Sequence, residues 1–345
     1  MSKRVIVNRW KEFASPMVAN YIIDWCVENP KSGLGGATGR SPVDVWKWVW
    51  RLLESERAED RDAVVGQKIA FLDEYFGAYP SYYHWAWRNL LVGRGGLAPD
   101  NVHVPRGCFF EEEEGRIVTS KRLEELLDDE ECRDDWQGFT EPGEDGGMPE
   151  VRFDQDKSKN LHPVLAQIRA ALWDYDAVVD GFGPRLQLLG IGVGGAIEKD
   201  PEAGGHIGFV ECGAAAKNSK TMLVRLAGST SIANEDDFLL TNADGDTRLE
   251  PSRFAMTQGI STVLSAGELL MMAWGESKQL AVERMFLGEP GPKNPAAWVQ
   301  EHGNVTVFLD QGAYGSLKEG DLDAGGWSVE FHEMPVARVA PNLMG

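Results

Sequence analysis

The chain is short of positive charge. Its 34 Lys and Arg face 54 Asp and Glu, for a formal charge of −20. Such a surface repels nucleic acid and anionic membranes and excludes both as partners, so an anionic ligand has to be held by local donors. Cysteine is also scarce. Cys26, Cys108, Cys132 and Cys212 are far apart and form no C-x-x-C pair, which excludes a disulfide framework or a zinc ribbon and fits reduced thiols with no bound metal. No apolar run reaches the roughly 18 residues of a membrane span, and Met1–Val5 lacks the apolar region of a secretory signal. A soluble, unprocessed, cytoplasmic protein is expected. No internal repeat is found.

What is present is a core-forming pattern: 345 residues, 43% of them hydrophobic, suffice for a substantial interior. Apolar positions at helical spacing predict helices over Ser15–Glu28, Pro42–Leu53, Ser81–Leu91, Leu161–Leu172 and Gly275–Leu287. Short apolar runs predict strands at Lys68–Leu72, Asn101–Pro105, Leu186–Gly192 and Val305–Leu309, with a helix-to-strand unit over Ala266–Trp274. The segment from Gly33 to Ser41 reads as a turn feeding the second helix. Alternation of this kind implies an α/β fold with a mostly parallel sheet and helices on both faces. One domain is expected over residues 1–345, interrupted at about 111–159 by an acidic, solvated insertion.

Three segments carry chemistry. Ala37-Thr38-Gly39-Arg40-Ser41-Pro42 offers hydroxyls, an arginine and backbone N–H groups at a helix start, a way to hold phosphate without a large positive field. Leu72-Asp73-Glu74-Tyr75-Phe76-Gly77 places carboxylates at a strand end. Gly205-His206-Ile207-Gly208-Phe209-Val210-Glu211 sets an imidazole and a carboxylate around a glycine turn. The run Gly190-Ile191-Gly192-Val193-Gly194-Gly195 formally matches G-x-G-x-x-G, but polar residues ending in Pro201 follow it where a dinucleotide site needs an amphipathic helix.

Together with Ala255-Met256-Thr257-Gln258-Gly259-Ile260 and Gly275-Glu276-Ser277-Lys278, these segments occur in the order seen in glucosamine-6-phosphate deaminases, and over roughly residues 10–315 the chain resembles that family, which is related to 6-phosphogluconolactonase. The resemblance implies a modified Rossmann-type three-layer fold and a cofactor-free conversion of an amino-sugar phosphate to a ketose phosphate and ammonia. It implies a small-molecule sugar phosphate as partner and leaves a homo-oligomer open. In that reading Asp73 is the base, His206 opens the sugar ring, and Glu211 orients His206 or shares its proton. Ala37, Thr38, Gly39, Arg40, Ser41 and Lys278 hold the phosphate.

Two departures stand out. Where the family has an aspartate two residues before the histidine this chain has Gly204, and Asp200 or Glu202 is expected to fold back toward His206 in its place. Where the family has a phosphate-gripping arginine this chain has Ser231, with Arg40 or Arg225 as the compensating cation. The alternatives are a lactonase in which His206 activates water, and a sugar-phosphate sensor that has lost turnover.

Overall fold

The computed structural model describes residues 2–332 except 31, 80, 92–95, 113, 130–131, 133–135, 138–149, 154–160, 195–196, 199, 214–216, 227–238, 243–244 and 249–250. Its centre is an eight-stranded sheet in the order Ser328–His332, Ser2–Asn8, Asn304–Asp310, Glu268–Ala273, Arg185–Gly190, Gly33–Gly36, Lys68–Phe71, Val102–His103. All seven pairings are parallel. Parallel strands covered on both faces read as unbroken apolar runs, and Leu269, Leu270, Met271, Met272 and Ala273 are buried in succession. The helices Lys11–Glu28 and Arg40–Leu53 supply Val18, Ile22, Ile23, Val45, Trp46 and Val49 to the same core. This is the expected α/β architecture.

A second sheet joins the first at the site of interest. Leu72 carries the chain out of the Lys68–Phe71 strand directly into Asp73–Tyr75, which pairs antiparallel with Phe254–Thr257, which in turn pairs antiparallel with Met222–Arg225. Gln258 N–H donates to Leu72 O at 2.7 Å and closes the corner. Asp73 therefore stands at the junction of two sheets. Antiparallel pairing was not read from the sequence.

Two expectations need correcting. Gly33–Gly36 is no turn: it is a fully buried strand of the central sheet, and Leu34 is its one side chain because neighbours occupy the space beside the three glycines. A Cβ on Gly35 would lie 2.0 Å from Oε1 of buried Gln187, and one on Gly36 2.9 Å from the Phe71 ring. The acidic stretch from residue 111 is also more than wet surface. Within it the helix Ser120–Asp128 buries Leu123, Leu126 and Leu127 against Leu165, Ile168 and Phe254, and buried Glu111 is paired with Arg116 and Arg122. Its apolar spacing was masked by the surrounding charge. Residues 138–149 of the same stretch lie outside the described residues.

Gly35→Ala tests the packing claim. The new methyl displaces Gln187, whose Oε1 accepts the Arg185 Nε–H at 3.2 Å and whose Nε2 donates to Leu188 O at 3.1 Å. A loss of about 1–3 kcal/mol is expected from this overpacking, read as a lower urea midpoint at unchanged slope. An unshifted midpoint would show that the strand tolerates side chains.

Candidate active site

Four adjacent parallel strands, Lys68–Phe71, Gly33–Gly36, Arg185–Gly190 and Glu268–Ala273, end at the same edge of the sheet. The carboxyl edge of such a sheet is where ligands bind, and there the residues following each strand wall a cleft of about 540 Å³. Leu72 and Asp73 come from the first strand, Ala37, Thr38 and Gly39 from the second, Ile191 and Gly192 from the third, and Trp274, Ser277 and Lys278 from the fourth. His206, Gly208, Phe209 and Tyr82 complete the walls. Asp73, His206, the hydroxyl loop and Lys278 thus share one cleft. A second cavity of about 500 Å³ opens at the opposite edge of the sheet, where Arg4 and Arg185 mix with Asp24, Glu28 and Glu268, and it contains none of the expected site residues.

The hydroxyl loop is shaped by backbone. Gly39 takes φ +91°, a left-handed conformation that side chains disfavour, and it caps the helix Arg40–Leu53 without any side-chain hydrogen bond. The first N–H groups of that 14-residue helix are free of a side-chain cap and carry the positive end of its dipole toward the cleft. Thr38 Oγ1 donates to Asp73 Oδ1 at 3.1 Å and ties this loop to the carboxylate. The neighbouring Glu74 turns away. Its two oxygens accept the backbone N–H groups of Tyr75, Tyr82 and Tyr83 at 2.8, 3.0 and 2.8 Å, which anchors the Tyr82–Ala86 helix and sets Tyr82 against the cleft. Burial pushes the Glu74 carboxyl up to about 7 against those donors.

His206 is held by a two-way backbone bridge to Gly192, with N–H···O distances of 2.9 and 3.1 Å. Its ring lies directly over that glycine: a Cβ at 192 would fall 1.8 Å from Nε2. Burial, reinforced by the positive charge of Lys278, pushes the imidazole down to about 4, so it is neutral at pH 7. Nδ1 is buried and has no hydrogen-bond partner among the described residues. Lys278 sits on a short turn whose Gly275 N–H is gripped by both oxygens of buried Asp310 at 2.9 Å, and its Nζ donates to Ile191 O at 2.7 Å. Among the described residues no group of three or more His, Cys, Asp or Glu could hold a metal ion, and no helix is long and apolar enough to cross a membrane.

Several expected residues stand apart from the cleft. Glu211 is buried beyond the Ile207–Val210 turn, outside the residues that wall the cleft, and it does not partner Nδ1 of His206. Asp200 and Glu202 do not fold back. They clasp exposed Lys293 at 3.0 and 2.9 Å, where both carboxylates stay hydrated, whereas reaching the buried Nδ1 of His206 would strip that water. Arg225 pairs with Glu124 at 2.6 Å in the second sheet and so does not stand in for a phosphate cation. Ser231 lies outside the described residues, and Arg40 opens the helix at the hydroxyl loop. Tyr82, Phe209, Trp274 and Asp44 line the cleft, and no role was assigned to them from the sequence. Phe209 stood inside a quoted motif and Tyr82 just after another, but nothing local separates a wall residue from a core one.

No family model matches the chain. It is 30% identical over 307 residues to the glucosamine-6-phosphate deaminase of Rhodopirellula baltica, spanning 88% of this chain and 91% of that one. It is 27% identical over 325 residues to the glucosamine-6-phosphate deaminase of Bifidobacterium longum, with 93% and 94% covered. Among solved structures, a monomeric glucosamine-6-phosphate deaminase superposes with a TM-score of 0.61 at 23% identity, covering 91% of this chain and 99% of the other. The 6-phosphogluconolactonase of Leishmania guyanensis superposes with a TM-score of 0.55 at 14% identity, covering 92% and 100%. These structural likenesses show the fold.

The neutral ring makes a testable demand on stability. The folded imidazole titrates near 4 and the unfolded one near 6.5. Below pH 6.5 the unfolded chain therefore takes up a proton that the folded one refuses, and stability falls as the pH drops toward 4. Relative to His206→Gln, the wild-type protein should lose about 1–3 kcal/mol more between pH 7 and pH 4.5. Urea midpoints that move in parallel for the two proteins would contradict this.

Proposed function

This chain belongs to the glucosamine-6-phosphate deaminase family, and from that premise we propose that it converts a 2-amino-2-deoxyhexose 6-phosphate and water to a ketose 6-phosphate and ammonia. The observation that carries the reading is that Asp73 and His206, which are 133 positions apart in the chain (206 − 73), wall the same cleft as an uncapped helix N-terminus and Lys278.

The phosphate docks on the N–H groups and hydroxyls of Thr38, Gly39, Arg40 and Ser41, with Lys278 as the nearby point charge. With Nδ1 sealed in protein, Nε2 is the nitrogen of His206 that meets substrate. Being neutral, the ring first accepts a proton: Nε2 takes it from the C1 hydroxyl and delivers it to the ring oxygen, and the C1–O5 bond breaks to give the open-chain aldehyde. The Asp73 carboxylate then removes the C2 proton, leaving an enolamine across C1 and C2. The same proton returns to C1, the C2 imine forms, and water hydrolyses it to the ketone as ammonia leaves. The Thr38 hydroxyl, donating to Asp73, fixes the carboxylate for this transfer. Tyr82 and Phe209, stacked with their rings 6° from parallel, form an apolar wall that limits water at the reacting carbons.

Incubation with glucosamine 6-phosphate should release ammonia and fructose 6-phosphate in equal amounts. Asp73→Asn should lower kcat by about 10²–10⁴-fold with KM nearly unchanged, while Lys278→Ala should act mainly on KM. Ketose without ammonia would indicate a plain isomerase and hydrolysis of a phosphorylated lactone a hydrolase, and binding without turnover would leave a sensor. Each outcome would overturn the deaminase reading.

A further inference from the structure

One nitrogen of His206 is left unfinished by the groups described so far. Among the described residues Nδ1 is buried without a hydrogen-bond partner, and so is the side-chain oxygen of Asn294. Such atoms are uncommon, because each costs about 1–3 kcal/mol if left unmatched. These two sit on neighbouring stretches of chain. Gly204 N–H donates to Lys293 O at 2.9 Å and Ala296 N–H donates to Gly205 O at 3.0 Å, so residues 293–296 run beside the two glycines that lead into His206.

The orientation of the Asn294 amide is set. Its Nδ2 donates to Arg284 O at 2.8 Å, leaving Oδ1 as the acceptor turned the other way. That oxygen occupies the place of the missing side chain at 204, since a Cβ on Gly204 would come within 1.7 Å of it. A buried asparagine, 3% exposed and with its oxygen unspent, thus stands where a side chain two residues before the histidine would have begun.

We propose that Asn294 is a positioning residue for His206: its Oδ1 accepts the Nδ1 proton through one bridging water, and so presents Nε2 to the cleft as a lone pair. This deepens the functional reading above and rests on His206 being the proton carrier there. An amide oxygen suits the task because it selects the tautomer without supplying negative charge. A carboxylate in the same place would stabilise the imidazolium. Among the described residues the charged side chains that share the cleft with the ring are Lys278, which acts to keep it neutral, together with Asp73 and Asp44.

The experiment combines two-bond ¹H–¹⁵N correlation spectra of His206 with kinetics. The wild-type protein should show the Nδ1–H tautomer at pH 7. Asn294→Ala should give a tautomer mixture and a kcat lower by about ten- to a hundredfold, with KM changed by less than about twofold. The exchange Gly204→Asp with Asn294→Gly puts a carboxylate where the amide was. It should raise the His206 titration midpoint by about one unit or more and return turnover to within about tenfold of wild type, whereas Gly204→Asp alone collides with Asn294. An unchanged tautomer and kcat in Asn294→Ala, or an unmoved midpoint in the exchange variant, would overturn the assignment. Tautomer and midpoint are read without substrate. A protein that releases no ammonia would therefore sink the deaminase proposal, while the spectra would still decide the role of Asn294.

Discussion

Everything at the cleft depends on one steric contact, the His206 ring lying on the backbone of Gly192. Two hydrogen bonds lock these residues together, and the absence of a Cβ lets the imidazole come closer than any other residue at 192 would permit. Gly192 is two residues beyond the Arg185–Gly190 strand, so the ring inherits the rigidity of the central sheet. The same sheet delivers Asp73, the hydroxyl loop and the Lys278 turn from adjacent strands. Groups carried on one rigid edge keep their spacing without further support, which is what proton transfer between fixed atoms needs.

The second consequence is electrostatic. A chain of charge −20 cannot attract a phosphorylated sugar through its overall field. The cleft meets this with short-range donors: an uncapped helix N-terminus and a lysine whose turn is pinned by buried Asp310. The imidazole is kept neutral by burial and by the same lysine. In the proposed reading, positive charge is thus concentrated where the phosphate would sit and withheld from the ring that would accept a proton.

Much of the site was legible because its chemistry lies in short motifs at strand ends. Asp73, His206, Thr38, Gly39 and Lys278 were each marked by residue type beside a glycine or an apolar run, and the structure brings them to one cleft. The misreadings share a cause. Gly33–Gly36 looked like a turn because three glycines leave Leu34 as its one apolar signal; their necessity lies in Gln187 and Phe71 on neighbouring strands. Asp200 and Glu202 were assigned by proximity in sequence, but Lys293, some ninety residues away, holds them instead. Asn294 passed unnoticed for the same reason, since an asparagine between a lysine and a proline carries no sign that its amide fills the space beside Gly204.

The α/β class, the acidic composition and the residue types available for proton transfer could be read along the chain, because periodicity, composition and local motif are properties of neighbours in sequence. Packing between distant segments settled that Asp73 lies where two sheets meet, that the half-buried His206 ring is neutral with its Nδ1 sealed off, and which side chain stands beside Gly204. Those outcomes turn on distances between segments separated by tens to hundreds of residues, and on the water that their packing removes, neither of which a linear pattern encodes.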